Sequence, residues 1–209
     1  MNQIKTLLKD WNTIPNWLSY IRIALIPVFA VLFYNDKEII ALIVLVVSGS
    51  TDFFDGKLAR KLNQVSDLGK LLDPVADKLT QITLSIVFYL EFRNSTVELI
   101  NTFSWVFLIF VIKELVIVVF GTIMVLVGLR PVAAEIVGKT ATMVFYLVMI
   151  FIVMFGPEVG VLSHLWAIPE TLLLVLVVIS AFITVLAFLS YLPSTFRQVA
   201  DKIKESKSK

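Results

Sequence analysis

The stretch "STDFFDGKLARKLNQVSDLGKLLDPVADKL", residues Ser50 to Leu79, sets five aspartates between two of the most apolar segments of the chain. Asp52 and Asp55 are three residues apart, and Asp73 and Asp77 are four apart. On a helix both spacings stack side chains on one face. The first pair closes one apolar segment and the second opens the next. An antiparallel helix pair joined by residues 61–70 would therefore gather four carboxylates at one end. Asp67 falls between the pairs and reads as a solvated turn residue.

The chain around this hairpin has 209 residues, of which 58% are hydrophobic and 16% charged, with a mean hydropathy of +0.92. Ordinary soluble domains are far less apolar. Stretches of about 20 apolar residues recur, each long enough to cross a hydrocarbon core of ~30 Å. We expect an all-α polytopic membrane protein with six transmembrane helices at 14–34, 38–60, 71–91, 101–128, 133–155 and 169–192. Between them, "NDK" (35–37), "RNSTVE" (93–98), "GLRP" (128–131) and "GPEVG" (156–160) interrupt the pattern with glycine, proline and charge. The second and fourth spans exceed the minimum length, which predicts tilt or extension beyond the hydrocarbon. Residues 1–209 read as a single membrane domain, with an amphipathic N-terminal segment at 1–13 and a basic tail at 193–209. The N-terminal segment shows no small-residue cleavage site, so no signal peptide is predicted.

Basic residues assign the sides. One side receives Lys5, Lys9, Lys57, Arg60, Lys61, Lys70, Arg130, Lys139, Arg197 and the lysines of the tail; the other receives Lys37 and Arg93. The positive-inside rule then places both termini, and a polar cavity around the aspartates, on the cytoplasmic side of a cell (inner or plasma) membrane. The tail reads either as a helical extension near anionic headgroups or as a plain orientation signal. Trp105 and Trp166 fall near span ends, where interfacial anchoring explains them.

Cysteine is absent, which excludes disulfides, thiolate zinc sites and cysteine nucleophiles. The single histidine, His164, reads as a solvated loop residue. Four carboxylates crowded beside a bilayer would repel one another and partly protonate if left alone. A hard divalent cation resolves that conflict, and oxygen-only ligands favour Mg²⁺, Mn²⁺ or Ca²⁺ over zinc. Gly56 and Ala59 follow Asp52 and Asp55 by one helical turn and leave room for a bulky group, while Arg60 and Lys61 could neutralise a diphosphate. Together these residues make a phosphoryl-transfer constellation. The plainer reading of Asp73-Pro74 is a helix start, with the acid as cap and the proline in the first turn. Four acids in register, with small residues at the matching turns, ask for more than capping.

The same residues spell D-x-x-D-G-x-x-A-R from Asp52 to Arg60, then eight residues, then G-x3-D-x3-D from Gly69 to Asp77. This pattern resembles the signature of the CDP-alcohol phosphatidyltransferase family at every specified position, and "IPNWLSYIRI" (14–23) is also similar to the family's first span. The resemblance implies that Asp52, Asp55, Asp73 and Asp77 bind two metal ions, Mg²⁺ or Mn²⁺, and that Asp77 also serves as the catalytic base. It implies that Asp52, Gly56, Ala59 and Arg60 receive the cytidine diphosphate group. The implied reaction belongs to phospholipid biosynthesis: a phosphatidyl group leaves CDP-diacylglycerol for an alcohol, and CMP is released. The implied partners are CDP-diacylglycerol, a small polar alcohol phosphate or lipid acceptor, membrane lipids and a second copy of the chain in a homodimer, with no nucleic acid.

The acceptor is less sharply marked. Family members that make phosphatidylglycerophosphate carry an Arg-Glu pair in the fourth span and G-K-x-K-T in the fifth; here the matching stretches are Lys113-Glu114 and Gly138-Lys139-Thr140-Ala141-Thr142. Lys113 replaces a bidentate fork by a point charge, and Ala141 removes a cation. Lys113 and Lys139 are the candidate acceptor-binding residues. Their plainer readings are an ion pair with a neighbouring helix for Lys113 and a side chain reaching the headgroups for Lys139. Glu114 is expected on a different helix face from Lys113. Arg22, one or two turns into the first span, is expected near the polar cavity, and Arg130 is an orientation residue. We expect sn-glycerol 3-phosphate as acceptor. Phosphatidylglycerol (a cardiolipin synthase), inositol phosphate or serine are the alternatives within the family, and a divalent-cation transporter is the alternative of another class.

Overall fold

The computed structural model describes residues 11–62, 64, 66–127, 129 and 136–207, and within its helices the side chains of 52–60, 67, 70–71, 125–126, 136, 201 and 203–207 lie outside that description. The helices are α1 (Ile14–Tyr34), α2 (Glu38–Lys61), α3 (Asp67–Arg93), α4 (Glu98–Phe103), α5 (Val106–Leu126), α6 (Ile136–Phe155) and α7 (Glu170–Lys207). No strand occurs among the described residues.

Local chemistry sets the boundaries. Thr13 caps α1 by accepting a hydrogen bond from the Asn16 amide, and Pro15 sits in the first turn, where its missing N–H costs nothing. The chain turns into α2 through Asp36 at φ 53°, a left-handed conformation that Asp tolerates better than most residues. Ser66 caps α3 by accepting from the Gly69 amide. That cap starts the helix four residues earlier than the expected 71, so Asp67 is its first residue and not a turn residue. Asp73-Pro74 consequently lies in the second turn of α3, not at its start. The expected fourth span is broken at Ser104–Trp105 into α4 and α5. At the C-terminal end α7 continues through Pro193 to Lys207, so the tail extends the helix.

Four segments among the described residues are long and apolar enough to cross a membrane: Ile14–Tyr34, Glu98–Met124, Val137–Phe155 and Glu170–Ala200. The apolar part of α2 is shorter, Glu38–Thr51. Helix α3 has the length but carries Asp73, Asp77, Lys78, Glu91 and Arg93 along it.

The helices pack as a ring. Helix α1 lies against α2 and α3, α3 against α5, α5 against α7, α7 against α6, and α6 returns to α2. Half of the ring's interior is aromatic. Phe29, Phe33, Phe88, Phe92, Phe107, Phe110 and Phe145 are buried together, with ring centroids 5.5 Å apart for Phe33–Phe88 and 4.9 Å for Phe110–Phe145. Such pairs contribute about 0.5–1.5 kcal/mol each beyond their area. The other half is polar. The buried stripe of α1 reads Asn16, Ser19, Arg22 and then Ile26, Phe29, Phe33. Its first turns therefore bury polar groups and its last turns bury rings. Helix α3 repeats the switch, with Gln81 buried before Leu84, Phe88 and Phe92. The outside is the reverse of a soluble protein: Val31, Ile39, Met143 and Phe182 are each more than 60% exposed, as expected where the solvent is lipid.

Candidate active site

The polar half of the ring borders a half-open cavity of about 900 Å³, in which charged and polar side chains stand among a mainly apolar lining. Its walls come from six helices: Arg22 of α1, Ser48 and Gly49 of α2, Asp73, Asp77 and Lys78 of α3, Lys113 of α5, Gly138, Lys139, Thr142 and Tyr146 of α6, and Tyr191 of α7. Alternating helix direction explains the gathering. The first halves of α1, α3 and α6 and the later turns of α2 and α7 share one end, and Lys113 and Ile117 reach it from the middle of α5.

Asp73 and Asp77 each accept a hydrogen bond from another helix. The Ser19 hydroxyl of α1, itself buried, donates to Asp73 Oδ1 at 2.9 Å. The Tyr146 hydroxyl of α6 donates to Asp77 Oδ1 at 3.0 Å, and Gln81 Nε2 donates to Asp77 Oδ2 at 3.0 Å. All three donors are neutral, so they aim the carboxylates without cancelling their charge. Such donors beside ligand side chains fix geometry and affinity at metal sites.

The start of α3 is locked from α1. Ser66 Oγ lies 2.8 Å from Asn16 Oδ1, and Ile14 N donates to Gln64 Oε1 at 3.3 Å. Gly69 admits this contact, because a Cβ there would come within 2.6 Å of Asn16 Oδ1. The glycine of the signature therefore has a packing role that the sequence pattern did not disclose. Gly138 is similar: a Cβ would lie 1.8 Å from the Tyr191 hydroxyl, which occupies that space at the cavity wall.

On the α5 side Glu114 is fully buried, and Lys78 Nζ lies 2.6 Å from its Oε2. Lys113 contacts its Oε1. This corrects the expectation that Lys113 and Glu114 point apart: the long lysine stem folds back to the carboxylate that also meets Lys78. One acid thus sits between two ammonium groups, and the cluster keeps a net positive charge beside Asp77.

The structure brings Asp73, Asp77, Lys113, Lys139 and Arg22 to one cavity. Asp52, Asp55, Gly56, Ala59 and Arg60 lie on the last turns of α2, and their side chains fall outside the described residues. Among the described residues no group of three or more acid, histidine or cysteine side chains forms a metal cluster. Arg130 also lies outside the description, and His164 lies in the α6–α7 connection. Sequence reasoning missed Ser19, Gln81, Tyr146, Lys78 and Tyr191. A signal was present for two of them: Ser19 falls midway between Asn16 and Arg22 at helical spacing, and Tyr146 falls four residues after Thr142.

A ring of helices, apolar on its outside, around a cavity that holds carboxylates and lysines is the architecture of an integral membrane protein with an internal polar site. The chain belongs to the CDP-alcohol phosphatidyltransferase family, which residues 12–188 match. It is 38% identical over 136 residues to the cardiolipin synthase (CMP-forming) of Streptomyces coelicolor, covering 62% of this chain and 60% of that one. It is 50% identical over 80 residues to a putative cardiolipin synthase of Mycobacterium tuberculosis, 38% of each chain. It is 29% identical over 185 residues to the CDP-diacylglycerol–glycerol-3-phosphate 3-phosphatidyltransferase of Wigglesworthia glossinidia brevipalpis, 86% of this chain and 91% of that one. The matches thus span less than two thirds of the Streptomyces and Mycobacterium proteins.

Proposed function

We propose that the chain is an integral membrane enzyme of phospholipid synthesis that transfers a phosphatidyl group from CDP-diacylglycerol to sn-glycerol 3-phosphate and releases CMP. The observation that carries this reading is one cavity holding Asp73 and Asp77 on one wall and Lys113 and Lys139 on others. Family membership and the Wigglesworthia relative support it. In this reading α2 and α3 complete six spans, residues 1–209 form one domain, both termini and the cavity mouth face the cytoplasm, and two copies pair as a homodimer. The donor's acyl chains stay in the bilayer while its diphosphate enters the cavity.

The donor set fits a hard divalent cation. Asp73 and Asp77 offer oxygen only, are one turn apart, and are held by neutral hydrogen bonds. Asp52, Asp55, Asp73 and Asp77 would hold Mg²⁺ or Mn²⁺, two ions, with Asp52, Gly56, Ala59 and Arg60 around the cytidine diphosphate. Bound there, the ions would offset the charge of the diphosphate and of departing CMP. Asp77 takes the proton of the acceptor hydroxyl as its oxygen attacks phosphorus in line. One P–O bond forms to the acceptor, and the P–O bond to CMP breaks.

A second acceptor, phosphatidylglycerol, is favoured by the contact of Lys113 with Glu114. A lysine shared with a buried carboxylate is a weaker counter-charge for a phosphate dianion and suffices for a singly charged phosphodiester. Purified protein with labelled CDP-diacylglycerol, Mg²⁺ and each acceptor in turn, with products identified by mass, tests both readings. Phosphatidylglycerophosphate and CMP are expected from sn-glycerol 3-phosphate; cardiolipin from phosphatidylglycerol would select the second reading. No CMP with any alcohol would overturn the enzymatic proposal.

A further inference from the structure

The Tyr146–Asp77 hydrogen bond joins residues 69 apart in sequence. It also joins helices that are not close neighbours. Helix α6 packs against α7 and α2, and α3 packs against α1 and α5. The tyrosine follows Phe145, whose ring packs on Phe110 of α5, so α6 meets α3 here through side chains and not through close backbone approach. Its base lies on the helix face that carries Gly138 and Thr142, with Lys139 beside them, all cavity-lining. At Asp77 it takes Oδ1 while Gln81, one turn along α3, holds Oδ2. Gln81 alone would leave the carboxylate free to swing about the bond it accepts. The second donor, from another helix, removes that freedom.

We propose that Tyr146 is a positioning residue, fixing the Asp77 carboxylate for a divalent cation and tying that geometry to α6, the helix that bears Lys139. The inference rests on the metal reading above. Ser19 does the same for Asp73 from α1, which supplies an internal comparison.

The test measures Mn²⁺ binding to the full-length protein in detergent, by calorimetry and by the electron paramagnetic resonance signal of free Mn²⁺, without substrates. Tyr146→Phe should weaken Mn²⁺ binding about tenfold or more, the range for second-layer partners of metal ligands, with helical content and melting midpoint unchanged. In an Asp77→Ala background Tyr146→Phe should shift the affinity less than about twofold, because the group it acts through is gone. Ser19→Ala should still weaken binding in that background, since it acts on Asp73. Tyr146→Phe with wild-type affinity, or with the same loss in both backgrounds, would overturn the inference while leaving the metal reading intact. Wild-type protein that binds no Mn²⁺ would overturn both.

Discussion

Glu114→Gln turns the cluster beside the cavity into a direct test of what holds the bundle together. Lys78 Nζ is 2.6 Å from Glu114 Oε2, an attraction of about 6 kcal/mol at an effective dielectric constant near 20. Desolvating each ion costs several kcal/mol, so the intact cluster adds little net stability. Removing the acid is different, because both lysines then lack their counter-charge. Breaking a buried pair costs about 3–5 kcal/mol. Lys78, with 24% of its side chain exposed, can partly swing to solvent, whereas Lys113 has 12%. The expected loss is therefore at the lower end, about 3 kcal/mol. Unfolding by sodium dodecyl sulfate, followed by helical circular dichroism in mixed micelles, measures it. Adding Lys113→Met should recover more than half of the loss, since it removes the more buried orphan. Glu114→Gln within about 0.5 kcal/mol of wild type, or a double variant no better than the single one, would refute the reasoning.

Gly69→Ala should cost about 1–3 kcal/mol in the same assay, because the new Cβ displaces Asn16 Oδ1 from its place against Ser66, the α3 cap; Asn16→Ala in the same chain should relieve part of the strain, and additive losses would count against the contact. At the opposite end of the bundle, burial pushes the Glu158 carboxyl up, but hydrogen bonds from the Ser95 and Thr96 side chains and the Thr96 backbone outweigh it and hold it below the usual 4.5. A carboxyl lowered in the folded state stabilises above its unfolded value and loses that contribution as pH falls through its folded value. The stability gap between wild type and Glu158→Gln should thus be full at neutral pH and shrink as pH drops below about 4.5; a gap independent of pH would exclude this role.

What the sequence disclosed follows from which interactions are local. Helix periodicity and the run of apolar residues located α1, α2 and α6 to within a few residues, because lipid-facing length is written along the chain. The start of α3 lies earlier than apolar content predicts because a single side-chain cap, Ser66, begins the helix ahead of its apolar run. Asp73, Asp77, Lys113 and Lys139, which line the cavity, stand out in the sequence by spacing and charge. Their partners do not, since Ser19, Tyr146 and Lys78 are ordinary helical residues until tertiary packing sets them beside a carboxylate. The contact of Lys113 with Glu114 escapes the sequence for a related reason. The rule that adjacent helical residues diverge holds for Cβ directions, whereas a four-carbon stem can turn back toward a carboxylate that Lys78 also meets.

The return of α6 to α2 closes the ring late in synthesis. Asp77 precedes Tyr146 by 69 residues, which at about 5–20 residues per second is roughly 3–14 s of elongation. During that interval the acidic hairpin has been made and its far wall has not. The carboxylates of Asp73 and Asp77 are thus made well before the wall that faces them, and a chain cut before α6 would lack Gly138, Lys139, Thr142 and Tyr146 of the cavity.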